Sequence, residues 1–239
     1  FSPVILVIAV ATVVTMLIYW AISALFFRQD AAETMAGAAS SSYYNSVNIG
    51  LPIATYVLGD ATFVVPALVL QMAVLSPIVI AGLDRSSSGV AKSVLSGLTA
   101  PVVVAAFAGF AVSAASWTVP EPVLAPLEIL GGASIPLILM SFGASLTGEK
   151  VLTSHRGPTL TATALKLVGM PAVAWVVATL LGLHGQEMYA ALILCALPTA
   201  QNVYNYAATY RSGEVICRDT VFLTTFLALP AMLLIAGVF

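Results

Sequence analysis

Charged side chains are scarce in this sequence. Only 8% of its 239 residues are Asp, Glu, Lys or Arg, whereas 60% are hydrophobic and the mean hydropathy is +1.05. A soluble domain carries about 25% charged residues, so this chain lacks the groups that keep a protein surface hydrated. Its apolar runs reach the roughly 20 residues that a helix needs to cross a bilayer. The sequence therefore predicts an all-α polytopic membrane protein.

Other classes of protein are disfavoured by what the sequence does not contain. Its two cysteines, Cys195 and Cys217, are too few for a disulfide framework or a typical zinc site. A net charge of −2 provides no basic field for nucleic acid. The zinc-protease pattern H-E-x-x-H and the nucleophile pattern G-x-S-x-G are both absent. We therefore expect neither an enzyme nor a nucleic-acid partner, and no resident cofactor.

Eight apolar segments are separated by short polar connections, and no soluble domain is inserted between them. Each segment is long enough to cross a bilayer as a helix. In chain order the segments are A (3–27), B (34–58), C (61–83), D (93–117), E (122–146), F (158–182), G (187–210) and H (215–238).

Lysine and arginine fall on one side of the membrane when these segments are threaded back and forth. That side receives Arg28, Arg85, Lys92, Lys150, Arg156, Arg211 and Arg218. The other side receives Asp60, Glu121, His184 and Glu187, but no lysine or arginine. Cytoplasmic loops are enriched in Lys and Arg, so the basic side is predicted to be cytoplasmic. Residues 1 and 239 are then predicted to face outside.

The order of the segments also predicts two inverted repeats. Segment B contains GLPIA (50–54) and segment G contains ALPTA (196–200), but B runs outward and G runs inward. Segments A–C and F–H would then be inverted copies, an arrangement that many secondary transporters use. If segments D–H form one five-helix repeat, the equivalents of D and E are expected before Phe1. Eight spans would thus belong to a ten-helix parent protein.

Proline and amide side chains coincide near the middle of segments B and G. Proline inside a helix removes a backbone hydrogen bond, and a break survives in a membrane only where protein or a water-filled cavity receives the freed groups. Discontinuous helices at matching positions of two repeats point to a transporter's binding site. The predicted site residues are Asn45, Asn48, Gly50 and Pro52 in segment B, and Pro198, Thr199, Gln201, Asn202 and Asn205 in segment G.

This predicted site favours an anion. Half-helix N-termini carry partial positive charge, and the acidic residues closest to the breaks, Asp60 and Glu187, lie at the outer ends of their segments. Lys166 would add positive charge if its side chain reaches the cavity; alternatively it extends to the cytoplasmic interface. The four asparagines, and Gln71 in segment C, could instead join helices through interhelical hydrogen bonds.

The same residues resemble the auxin efflux carrier family, which includes bacterial organic-acid permeases and plant auxin carriers. NSVNIGLP (45–52) looks like the family's N-x-x-x-x-G-x-P crossover motif, and residues 193–235 resemble its last two helices. LKLVGMPAVAW (165–175) and GGASIPLILMSFGASL (131–146) are similar to two further helices of the family. The residues that match the two crossover motifs are Asn45, Gly50, Pro52, Pro198, Thr199 and Ala200.

The resemblance implies the bile acid/auxin transporter-type fold, in which ten helices form inverted five-helix repeats. It implies that the fourth and ninth helices, here segments B and G, cross at their prolines. It also implies transport of weak organic acid anions by an elevator-like movement, usually within a homodimer. The family's second helix, which contributes to the substrate site, is not in this sequence. The short connection 84–92 suits a bacterial member, and hence the bacterial inner membrane.

We therefore predict a secondary carrier for a small carboxylate. Residues 1–83 and 158–239 would form the two parts of a mobile transport domain, and residues 93–146 would belong to the scaffold. The alternative is a sodium-coupled symporter or a sodium/proton antiporter of the same fold. That chemistry favours a carboxylate at the membrane midplane, which the sequence lacks. Coupling to protons or sodium stays open.

Overall fold

The computed structural model describes residues 3–59, 63–84, 92, 95, 98–147 and 150–238. Within these residues the regular elements are helices. One isolated β-bridge pairs Tyr44 with Thr199. The α-helices are α1 (Pro3–Phe26), α2 (Ala31–Ser42), α3 (Leu51–Tyr56), α4 (Val65–Leu70), α5 (Ser76–Leu83), α6 (Pro101–Ala114), α7 (Glu121–Ser145), α8 (Arg156–Ala164), α9 (Met170–Leu180), α10 (Gly185–Cys195), α11 (Gln201–Tyr210) and α12 (Glu214–Val238). Five-residue π-helical turns, Ser46–Gly50, Gln71–Leu75 and Leu165–Gly169, lead directly into α3, α5 and α9. The all-α prediction is confirmed.

A proline follows each π-helical turn after one intervening residue. Pro52, Pro77 and Pro171 lie at the second positions of α3, α5 and α9. A proline ring collides with the carbonyl four residues before it and donates no hydrogen bond. In a π-helical turn the hydrogen bonds span five residues instead of four. The wide turn therefore lets each helix continue past its proline.

Four continuous helical stretches of the described chain are long and apolar enough to cross a membrane. They are Pro3–Phe26, Pro66–Leu83, Arg156–Leu180 and Glu214–Val238, and they coincide with segments A, C, F and H. Segments B and G are each divided into two shorter helices, and part of segment D lies outside the described residues. The count of eight spans, the inverted repetition and the ten-helix parent therefore stay predictions.

Helix α2 is enclosed by its neighbours because its side chains are small. Nine of its twelve residues are buried, and these nine are alanine, glycine, serine or threonine. Gly37 lies so close to the ring of Tyr19 on α1 that a Cβ at position 37 would overlap it. The hydroxyls of Ser40, Ser41 and Ser42 donate to carbonyls of α2 itself. Helices α1, α5, α8 and α12 can therefore pack around α2.

The outer surface carries large apolar side chains. Leu25, Leu180 and Leu234 are 77%, 81% and 73% exposed. Soluble monomers rarely expose extended apolar patches, whereas lipid tails cover such a surface in a bilayer. The surface and the four apolar helices together support an integral membrane protein.

The connections between helices gather at two ends of the molecule. Glu33, His155 and Arg211 line one pocket, which brings together the connections after α1, α7 and α11. At the other end, Nε2 of Gln186 donates to the carbonyl of Leu58 at 2.9 Å, which joins the connections after α3 and α9. This grouping agrees with the sides assigned from lysine and arginine. Arg85 and Asp60, which were used in that assignment, lie outside the described residues.

Candidate functional site at two interrupted helices

Two helices are interrupted, and the interruptions are hydrogen-bonded to each other. Segment B breaks after α2 and segment G breaks after α10. The N–H of Asn45 donates to the carbonyl of Pro198 at 2.9 Å, and the N–H of Ala200 donates to the carbonyl of Tyr43 at 3.0 Å. These reciprocal bonds form the isolated antiparallel bridge. We call residues 43–45 and 198–200 the crossing.

Thr199 supports the second interruption through both its backbone and its side chain. Its N–H donates to Oγ1 of Thr224 on α12 at 3.1 Å, and its hydroxyl donates to the carbonyl of Ser40 on α2 at 2.6 Å. Helices that end in the interior leave backbone groups without helical partners. The fully buried Thr199 therefore satisfies the opened backbone, and its hydroxyl hydrogen is already used.

Gln71, the first residue of the turn Gln71–Leu75, closes the first interruption. Its Nε2 donates to the carbonyl of Tyr44 at 2.6 Å, and its Oε1 accepts a hydrogen bond from the hydroxyl of Ser46. The side chain is 1% exposed. Of the two roles that the sequence left open, the structure therefore shows hydrogen bonding between helices.

Lys166 is fully buried beside the second interruption. It lies in the turn Leu165–Gly169, and its Nζ donates to the carbonyl of Cys195 at 2.7 Å and lies 3.1 Å from Sδ of Met170. Cys195 ends α10, where the carbonyls lack helical partners and the helix dipole is negative. The ammonium group thus caps α10. The alternative in which this side chain extends to the cytoplasmic interface is wrong.

All four asparagines of the sequence lie in or beside the crossing. Oδ1 of Asn45 accepts from the N–H of Asn48 at 3.2 Å, and Nδ2 of Asn48 donates to Oε1 of Gln201 at 3.2 Å. The structure therefore brings together predicted site residues that are far apart in sequence. Asn202 and Asn205, on the first turn and a half of α11, form no side-chain hydrogen bond with any described residue.

Helix α11 begins without a side-chain cap. Its N-cap residue, Ala200, has no polar side chain, whereas Asn45 caps the turn that leads into α3. The N–H groups in the first turn of a helix carry partial positive charge. The sequence contains no Asp or Glu from residue 34 to 59 or from 188 to 213. The start of α11 therefore presents positive potential without a nearby counter-charge along either interrupted segment.

The first interruption lies before the turn Ser46–Gly50, and not at Gly50 and Pro52 as the sequence suggested. Pro52 falls in the first turn of α3, where proline is tolerated. Gly50 packs against the second interruption, since a Cβ there would lie 2.9 Å from Cδ1 of Leu197. Gly50 and Pro52 therefore shape the turn that follows the break. Pro198 does lie within its interruption.

Sequence reasoning missed a cluster of hydroxyl groups beside the crossing. The hydroxyl oxygens of Tyr43 and Ser76 are 2.6 Å apart, and those of Ser76 and Tyr206 are 3.2 Å apart. The two tyrosine rings meet edge to face, with centroids 6.4 Å apart. This cluster joins the first interruption to α5 and α11. The available signal was the tyrosine pair directly before Asn45.

Proteins of similar sequence are membrane transporters. A stretch of 107 residues is 27% identical to an uncharacterized transporter of Methanocaldococcus jannaschii and covers 45% of this chain. The chain spans about a third (34%) of that relative's length. The profile of the family described as membrane transport protein matches residues 86–236, well over half of the chain, and so includes the second interruption. This match confirms the resemblance to auxin efflux carriers. The chain belongs to the membrane transport protein family.

Proposed function

We propose that the chain is part of a secondary carrier that binds a small organic acid anion at the crossing and moves it by alternating access. The observation that carries this proposal is the uncapped start of α11, which lies beside amide side chains in segments without carboxylates. A carboxylate would be stabilised at such a helix end. A cation would meet no counter-charge there.

Several hydrogen-bond donors lie on or beside the first turns of α11. The first N–H groups of α11 have no side-chain acceptor. Asn202 and Asn205 add amide donors that no described residue engages. Asn48 and Gln201 lie at the edge of this region, bonded to each other at 3.2 Å. Hydrogen bonds to a charged partner are about twice as strong as neutral ones, so few of these donors are needed for specific binding.

The proposed movement carries the crossing together with the helices that hold it. Thr199 is hydrogen-bonded to α2 and α12. Helix α4, the turn Gln71–Leu75 and α5 form one continuous stretch, which we call the α4–α5 helix, and Gln71 connects it to the first interruption by a hydrogen bond. We infer that residues 1–83 and 158–239 move as one transport domain, in an elevator-like manner, against a scaffold from residues 93–146. The same proposal includes inverted repeats, a homodimer and a location in the bacterial inner membrane.

A sodium-binding site at the crossing has less support. Sodium would need several open oxygen ligands from backbone carbonyls, carboxylates or side-chain amides, and the amide oxygens of Asn202 and Asn205 alone are too few. The carbonyls of Tyr43, Tyr44, Pro198 and Cys195 already accept hydrogen bonds from protein donors. The amino group of Lys166, a hydrogen-bond donor to the carbonyl of Cys195, also lies at this interruption. We therefore expect uptake that does not depend on sodium.

The test is uptake of radiolabelled acetate, lactate, succinate and malate into proteoliposomes, with and without a sodium gradient. We expect saturable uptake of at least one acid without sodium. Asn45→Ala and Asn202→Ala should each lower it about tenfold or more, since a hydrogen bond to a charged group contributes about 1.5–3 kcal/mol. Gln186→Ala, which removes an amide at the helix ends, is the control and should transport normally.

Each result has a defined meaning. Normal uptake by both asparagine variants would overturn the site. Uptake that requires sodium would favour the sodium-coupled alternative. No saturable uptake of any carboxylate by the unmodified protein would overturn the proposed class of substrate.

A further inference from the structure

The turn Gln71–Leu75 contacts two residues of the first interruption, Tyr43 and Tyr44, and the first residue of the turn that follows, Ser46. The side-chain amide of Gln71 bonds the carbonyl of Tyr44 and the hydroxyl of Ser46. The backbone carbonyl of the same residue accepts from the hydroxyl of Ser76 at 3.1 Å and lies 3.4 Å from the hydroxyl oxygen of Tyr43. Gln71 therefore contacts Tyr43, Tyr44 and Ser46, which lie on both sides of Asn45.

These bonds continue to the half-helix that begins at the proposed anion site. Ser76 contacts the hydroxyl of Tyr206 at 3.2 Å, and Tyr206 follows Asn205 on α11. In the other direction, Ser46 begins the turn that carries Asn48, and Asn48 contacts Gln201. A displacement of Gln71 would thus shift the side-chain amides of Asn48 and Asn205, which lie on the two interrupted segments.

The chemistry at position 71 demands one donor and one acceptor on the same side-chain group. The carbonyl of Tyr44 accepts from Nε2 at 2.6 Å, in addition to the N–H of Ser46 at 3.0 Å, and the hydroxyl of Ser46 donates to Oε1. A carboxamide meets both requirements. A carboxylate provides only the acceptor, whereas a protonated carboxylic acid provides both the donor and the acceptor.

We infer that Gln71 is a positioning residue for anion binding, which acts through Tyr44 and Ser46 and does not touch the substrate. This inference rests on the proposed function, because the geometry that Gln71 fixes is that of the proposed site. It assigns a role to the α4–α5 helix, which contributes none of the residues expected to bind the carboxylate.

The first test compares Gln71→Met with Gln71→Glu, using the carboxylate that gives the largest saturable uptake. Methionine fills a similar volume but leaves the hydroxyl of Ser46 without its acceptor and the carbonyl of Tyr44 with the N–H of Ser46, at 3.0 Å, as its remaining donor. We expect KM to rise about tenfold, because an unsatisfied buried group costs enough to change a binding constant by that factor or more. The maximal rate per molecule should stay within about twofold. Gln186→Met removes an amide-to-carbonyl bond of the same type at the helix ends and should leave KM unchanged.

Gln71→Glu provides a readout that loss of packing would not give. The KM of Gln71→Glu is compared with that of the unmodified protein at the same pH. The two values should become similar at acidic pH, where the introduced carboxyl group is protonated. At alkaline pH the KM of Gln71→Glu should approach that of Gln71→Met. The phenols of Tyr43, Tyr44 and Tyr206 face this network and keep their charge state between about pH 5.5 and 9. Comparison at each pH removes the contributions of Lys166 and of the substrate's own titration.

The outcomes separate the two proposals. An unchanged KM in Gln71→Met, or a KM ratio of Gln71→Glu that does not vary with pH, would overturn the role of Gln71 and leave the carrier function intact. Absence of carboxylate uptake by the unmodified protein would overturn the proposed function itself. Recovery of Gln71→Glu at acidic pH would also show that position 71 can be changed without loss of the fold.

Discussion

The amino group of Lys166 is buried at the end of α10, with a backbone carbonyl and a thioether as its partners. Burial of an ammonium group costs several kcal/mol unless strong interactions offset it. A single carbonyl, aided by the negative end of a helix dipole, offsets only part of that cost. The sequence could not reveal this position. The direction of the side chain depends on the π-helical turn around it and on a break 29 residues later in the chain.

We expect Lys166→Met to raise the thermal stability of the purified protein while lowering carboxylate uptake at least about tenfold. Methionine has a similar volume and removes the buried charge, whereas the loss of one hydrogen bond to a carbonyl costs only about 1–3 kcal/mol. Uptake should fall because the positive charge beside the crossing is gone. The measurements are the Tm in detergent and the initial rate of uptake.

Lys150→Met is the matched control, because Lys150 is exposed, and it should change neither quantity. A lower Tm together with normal uptake would show that Lys166 acts only as a helix cap.

The positions of the two interruptions depend on hydrogen bonds from neighbouring helices as well as on prolines. Amide side chains near proline correctly indicated that segments B and G are divided, but the first break was placed too late because Pro52 fits the first turn of α3. Pro126 and Pro136 lie inside α7, and Pro230 lies inside α12, without dividing them. The crossing forms where Thr199, Gln71 and Lys166 satisfy the opened backbone. Those partners come from other helices, so local sequence does not identify them.

Close packing around α2 leads to a prediction at the scale of elements. Gly37→Ala should destabilise the protein by about 1–3 kcal/mol, because the new methyl group overlaps the buried ring of Tyr19 and forces the helices apart. A lower Tm in detergent would record this effect. Gly132→Ala in α7 is the control, since nothing lies within 4 Å of its Cβ position. It should be neutral or stabilising by up to about 1 kcal/mol, because alanine favours a helix.

At the scale of the whole molecule, composition was sufficient to predict an all-helical membrane protein, and the sorting of basic residues agrees with the ends at which the described connections gather. Which end faces the cytoplasm is a property of insertion and depends on the positive-inside rule. Helix packing alone does not determine it. The number of spans also depends on segment D, part of which lies outside the described residues.

The predicted orientation can be measured with single cysteines and a membrane-impermeant maleimide. Ser154→Cys, between α7 and α8, should be labelled only from the cytoplasmic side, and Ser116→Cys, between α6 and α7, only from outside. Both serines are exposed. The native thiols Cys195 and Cys217 are buried and should contribute little background. Labelling of both new cysteines from the same side would contradict the topology.

The two backbone hydrogen bonds of the crossing connect residues more than 150 positions apart in sequence. During synthesis, residues 43–45 enter the membrane long before residues 198–200 have been made. Until then their peptide groups lack their final partners, and an unpaired peptide group in lipid costs several kcal/mol. We therefore expect this stretch to stay in contact with water, or with the insertion machinery, until α11 arrives. Folding of this protein would then end with the docking of two chain halves.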